Sequence, residues 1–200
     1  MDRASGGPER AVTGRGPMRW DELFADLEGR WHAQEQLDLE AEVADRTRRE
    51  RALVGLQERL VAAVGSGPAE LRVAGAGPVR GVVTDVGSDW VLLMEPQEQA
   101  VLVAFPALRW MTVPTGRIQP LGAVARTFGI GAALRAISRD RAVVDVVDLD
   151  GGSLTGTVDA VGRDLLDLAE HPADLVRRPE NVRAVRSVPF AALALVRRRR

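Results

Sequence analysis

The period of the hydrophobic positions changes along the chain, and each change predicts a different kind of element. Trp20, Leu23, Phe24, Leu27 and Trp31 recur at helical spacing, with Asp21, Glu22, Asp26 and Glu28 between them. Acidic residues in a first turn suit the positive end of the helix dipole. Gly29 costs about 1 kcal/mol in a helix interior and marks a bend. Leu39, Val43, Leu53, Leu60 and Val64 extend the apolar stripe on a four-three register whose other positions, Arg46, Glu50 and Gln57, are polar. This is a broken heptad, and the nearly all-charged stretch 46–51 reads as exposed helix. The spacing thus predicts a helical arm over residues 18–65, stopped by Gly65-Ser66-Gly67-Pro68. Trp20, Phe24, Leu27 and Trp31 form its candidate partner-binding face. Residues 1–17, with too little apolar surface to order, read as a disordered leader without the apolar core of a secretory signal.

After Pro68 the period shortens to two. Short apolar runs over 71–73, 79–86, 90–94, 100–105 and 107–113, separated by turn chemistry at close intervals, predict the strands of a small barrel over residues 69–113. Residues 114–129 read as a linker. Ile130, Ala133, Leu134, Ala136 and Ile137 then predict one short helix. Strands follow over 142–149, 153–161, 165–168, 185–188 and 190–196. The second unit is therefore a helix plus a small barrel over residues 130–197, and residues 198–200 read as a basic tail. Trp90 and Trp110, in strands with Phe105, are expected in the core.

The two β segments match each other. Gly81, Gly87 and Asp89 align with Gly156, Gly162 and Asp164 at one constant offset, in a shared skeleton G-x-V-x-x-V-G-x-D. Phe105 aligns with Phe190 at a longer offset, which places the extra residues of the second segment in the loop after Leu168. The first glycine suits a close strand crossing, and Gly-x-Asp suits a tight turn into the next strand.

The second unit, through Val144, Val146, Asp150, Gly151, Leu154, Gly156, Val158, Val161, Gly162 and Asp164, resembles the Sm-like family. That family includes the eukaryotic Sm proteins and the bacterial host-factor RNA chaperone. The resemblance implies a helix on a five-stranded, strongly bent barrel, self-association through strand edges, and RNA binding. The nucleotide-contacting turn of that family has no counterpart in residues 185–190. The whole chain, with its MRWDELFADLEGRW opening, also looks like a family of actinobacterial proteins, some of which are labelled Fis-type transcriptional regulators. A C-terminal strand followed by arginines does not fit a helix-turn-helix.

Composition removes several chemistries. Cysteine, tyrosine and lysine are absent and histidine occurs only at His32 and His171, so disulfides, thiolate metal sites and cysteine nucleophiles are excluded. The Ala-, Val-, Gly- and Arg-rich composition points to a GC-rich genome. A net charge of −1 argues against wholesale phosphate neutralisation. Gly129-Ile130-Gly131 lacks the lysine of a phosphate loop, and residues 148–152 lack the further carboxylates of a calcium loop. His171, beside Glu170 and Asp174, reads as part of a solvated polar loop. Ser153 and Ser187 have no histidine nearby in sequence.

The expectation is a non-enzyme with no catalytic, metal or cofactor site, in the cytoplasm and without a membrane span. Arg177, Arg178, Arg183, Arg186, Arg197, Arg198, Arg199 and Arg200 gather in the C-terminal unit, whereas residues 21–45 are acidic. Two functions follow. The first is an adaptor or scaffold that self-associates, as a homo-oligomer, or docks on a protein partner. The alternative is a nucleic-acid-binding module using these arginines, which could neutralise phosphates but have no aromatic residues among them to read bases.

Overall fold

The computed structural model describes residues 31, 36, 39–46, 48, 52, 54–114 and 127–199. Trp20, Phe24, Leu27 and Arg200 lie outside them. The chain divides into two compact units, Met1–Leu53 and Val54–Arg200. In the first unit the described residues are helical, with Leu39 and Val43 more than half exposed and an Arg48–Asp45 ion pair at 3.7 Å. No helix among the described residues is long and apolar enough to cross a membrane.

The second unit is mainly β. Helix α1 (Leu56–Ala62) precedes β1 (Pro68–Val73), β2 (Gly77–Val86), β3 (Trp90–Met94), β4 (Ala100–Ala104) and β5 (Leu108–Thr112). Helix α2 (Ile130–Asp140) precedes β6 (Val143–Asp148), β7 (Ser153–Val161), β8 (Leu165–Glu170), β9 (Ala184–Pro189) and β10 (Leu193–Arg198). All ten strands join one antiparallel sheet in the order β5-β1-β2-β3-β4-β10-β6-β7-β8-β9. Between α1 and β1, Gly65 and Gly67 turn the chain at φ +66° and +133°, values that suit glycine.

The register repeats itself. The β2–β3 pairs Val82↔Met94 and Val86↔Val91 recur, at the offset that relates Gly81 to Gly156, in the β7–β8 pairs Thr157↔Ala169 and Val161↔Leu166. Both ladders carry a bulge at the same place, between Val83 and Asp85 and between Val158 and Ala160. The β1–β5 ladder shifts opposite Arg109 and the β6–β10 ladder at Ala194, positions related by the offset of Phe105 to Phe190. The corners recur too: Phe105 N–H donates to Asp89 O at 2.8 Å, and Phe190 N–H donates to Asp164 O at 2.8 Å. A Cβ at Gly81 would fall on the Met94 carbonyl oxygen, and one at Gly156 on that of Ala169, so both glycines let backbones cross closely.

Two cores form on this sheet. Leu60 of α1 packs with Leu71, Val79, Val83, Val91 and Leu93 in the first. Ile130 and Leu134 of α2 pack with Val144, Val158, Leu166 and Leu168 in the second. Strands β4 and β10, paired through Leu195↔Val103 and Val196↔Leu102, serve both. Val101, Val103, Ala194 and Leu195 belong to the first core; Leu102, Ala104, Leu193 and Val196 belong to the second. A strand buried on both faces needs an unbroken apolar run rather than alternation, which explains the segments AVLVA and LALV.

Three local expectations change. Residues 190–192 form a short 3-10 turn rather than the start of a strand, because the corner bond from Phe190 N–H to Asp164 O bends the chain before β10. Arg198, expected in a tail, ends strand β10, and Arg199 N–H continues to the Val143 carbonyl at 2.8 Å. Trp110, expected in the core, is 50% exposed, because β5 is the last strand of the sheet among the described residues. Trp90 is buried, and its Nε1–H donates to Phe128 O at 3.0 Å.

Candidate interaction surface

Among the described residues the sheet ends at two edge strands, β5 and β9. An edge strand leaves a row of backbone N–H and C=O groups without a sheet partner, which makes it a template for another strand. On β5 the exposed apolar residue is Trp110; on β9 it is Val185, 58% exposed. The polar residues of β9 are tied inward, not offered outward. Arg186 Nε donates to Glu170 Oε2 at 3.0 Å, and Ser187 Oγ donates to Asp167 Oδ1 at 2.6 Å, both across the β8–β9 ladder.

The structure distributes the candidate nucleic-acid arginines and pairs most of them with carboxylates. Arg177 makes a two-point contact with Asp159 through Nε (2.8 Å) and Nη2, and that carboxylate raises its pKa above the ordinary guanidinium value. Arg197 donates from Nη2 to Glu95 Oε1 at 3.2 Å, while its buried Nε faces Oε2 without hydrogen-bond alignment. Arg199 donates from Nε to both Asp145 oxygens, at 2.8 and 2.7 Å, and Arg198 lies a loose 3.7 Å from Asp140. The side chains of Arg178 and Arg183 have no partner among the described residues.

Arg177, Arg198 and Arg199 do meet, with Arg141, around one cleft of about 780 Å³. Asp140, Asp145 and Asp159, which pair with them, and Glu98 and Asp174, which line it, offset those four guanidiniums. The cleft therefore has no cationic excess with which to draw a phosphate backbone.

His171, expected on a solvated loop, is 2% exposed. Strand β8 runs on to Glu170, and His171 N–H donates to Thr155 O at 3.2 Å, so the ladder carries the ring beneath the loop. The Pro172 carbonyl can only accept, so Nδ1 donates to it at 2.8 Å. Nε2 pairs with the Thr157 hydroxyl at 2.9 Å, so both ring nitrogens have partners. The chain signal for this was Thr157, a polar residue on an inward position of a strand. Of the arm's candidate face, Trp31 alone is described; it is helical and 70% exposed. No protein-family model matches the chain, and no curated protein or solved structure is significantly similar to it.

Proposed function

We propose that the chain is a non-catalytic adaptor or scaffold of the cytoplasm: two tandem Sm-like small β-barrel units behind a helical arm, acting by self-association or by docking on a protein partner. The recurring registers, bulges and corners support the tandem units. The single observation that carries the function is the pair of antiparallel edges, β5 and β9, that no described strand covers and that present Trp110 and Val185. Main-chain pairing at such an edge supplies affinity, and a large aromatic side chain in a pocket supplies an anchor. The nucleic-acid alternative is left with Arg178 and Arg183 as its uncommitted cations among the described candidates.

The test compares the full chain with its Trp110→Arg and Val185→Arg variants, by sedimentation and by capture of partners from the native organism. Self-association, or an identified protein partner, that the edge variants lose supports the reading. Binding to single-stranded RNA or DNA that falls with salt and with Arg178→Ala plus Arg183→Ala, while the edge variants change nothing, overturns it.

A further inference from the structure

Between α2 and strands β3 and β4 lies an apolar groove that no described residue fills. Trp90 and Leu92 of β3, Leu102 of β4 and Ala133, Ala136 and Ile137 of α2 line about 530 Å³ of it. A second hollow of about 280 Å³ shares Leu92, Leu102, Ala136 and Ile137 with the first and continues to Val144 and Val196. Phe128, at the border, is 51% exposed. The floor is the cross-strand pair Leu92↔Leu102. Its counterpart in the repeat, Asp167↔Ser187, is polar and joined by a hydrogen bond of 2.6 Å. The register therefore tolerates polar residues at these places, and the groove carries leucines instead.

The rim is basic. Arg135 and Arg139, one turn apart on α2, are exposed, and neither guanidinium has a partner among the described residues. Of the carboxylates that line the two hollows, Asp140 lies 3.7 Å from Arg198, and Asp85 accepts the Val86 N–H at 2.8 Å. Arg135 and Arg139 thus leave a cationic excess, unlike the cleft around Arg141 and Arg177. An apolar floor with a basic rim fits an amphipathic helix whose polar side is acidic.

Resting on the self-association reading, we infer that this groove receives the arm of a second copy of the chain, residues 20–31. That segment carries the matching chemistry in its sequence. Trp20, Leu23, Phe24, Leu27 and Trp31 share one predicted helical face, and Asp21 and Glu28 border it on one flank. Trp31, the described end of that face, is helical and 70% exposed. Trp20 to Leu27 span about 10 Å of helix, the same length as Ala132 to Arg139 on α2. The aromatic residues of the arm are the anchors, and Ala133 and Ala136 leave room for them beside the Leu92↔Leu102 floor. Asp21 and Glu28 then answer Arg135 and Arg139 with charge-assisted hydrogen bonds.

The absence of cysteine permits a direct test on the full chain. Arg30→Cys and Ala136→Cys variants, mixed and treated with a short bismaleimide, should join as a covalent pair of chains. A chain carrying both thiols should also link between copies; linkage confined within one chain assigns the groove to its own arm and overturns the proposal. Reversing the rim with Arg135→Glu plus Arg139→Glu should raise the dissociation constant of self-association about tenfold or more, with unchanged melting. Adding Asp21→Arg plus Glu28→Arg to that chain should restore it. An unchanged dissociation constant on rim reversal overturns the proposal. Self-association that Trp110→Arg abolishes, with no cross-link at the groove, overturns this contact and leaves the edge reading standing. A wild-type chain that sediments as a monomer at every concentration overturns self-association and this contact together, while docking on a different protein survives.

Discussion

Strands β4 and β10 meet in the middle of the sheet, whereas their counterparts β9 and β5 end it. The backbone roles are the same, and the residues are not. Val101, Leu102 and Val103 stand where the edge has Arg186, Ser187 and Val188; Leu195 and Val196 stand where it has Trp110 and Met111. At the centre each face of each strand is roofed by a core, so any polar atom would be stranded without water. At the edge one backbone row has no strand partner among the described residues, and polar side chains with cross-strand partners are tolerated there. What a strand position requires is decided by what covers it, not by its place in the repeated register.

The largest expected effect tests that contrast directly. Leu195→Ala should cost about 3 kcal/mol, because it opens a cavity in a wall shared by two cores. Its counterpart Trp110→Ala should cost less than about 1 kcal/mol of monomer stability in chemical denaturation. Equal costs would break the comparison.

A slightly smaller effect should be equal in both halves. Gly81→Ala and Gly156→Ala each force a methyl group onto a backbone carbonyl, and each should cost about 2–3 kcal/mol. A tolerant site in one half would show that the strand crossings differ.

Next in size is a position where the halves diverge at a shared register. Thr157 is 1% exposed beneath the longer loop, while its counterpart Val82 is 37% exposed. Thr157→Val leaves His171 Nε2 without its hydrogen-bond partner and should cost about 2 kcal/mol. Val82→Thr should stay within about 0.5 kcal/mol. Thermal melts of the two variants decide it.

The smallest effect concerns the surface pair Arg80–Glu70, at 3.0 Å. Its counterpart is the Thr155 hydroxyl on Asp145, where Arg199 also binds. Arg80→Ala should change stability by less than about 0.5 kcal/mol at low salt and by nothing measurable at high salt. A salt-resistant loss would place that pair in a more enclosed setting than its 73% exposed arginine suggests.

Most of the β elements were legible because their signals are local. Val79, Gly81 and Val83 bury one face of β2 while Pro78, Arg80 and Val82 stay outside, a period that the chain states openly. The turns at Gly87 and Gly162, where each N–H bonds to the carbonyl three residues on, were readable from Gly-x-Asp for the same reason. The candidate site was less legible. The arginines could be counted in the sequence, but the carboxylates of the paired ones lie on other elements, 102 residues away for Arg197 and Glu95.

Period, turn chemistry and the spacing between Gly81 and Gly156 are properties of the chain itself, and they determined which residues form strands and which turns they share. Burial at a given strand position is a property of its neighbours, and only the tertiary structure decided it. Trp110 looks like a core aromatic and lies outside because no described strand pairs beyond β5; His171 looks like a loop histidine and lies inside because β8 carries it under a loop. The physical reason is range. A strand's alternation is set by bonds to adjacent residues, whereas exposure is set by whichever distant segment occupies the space beside it.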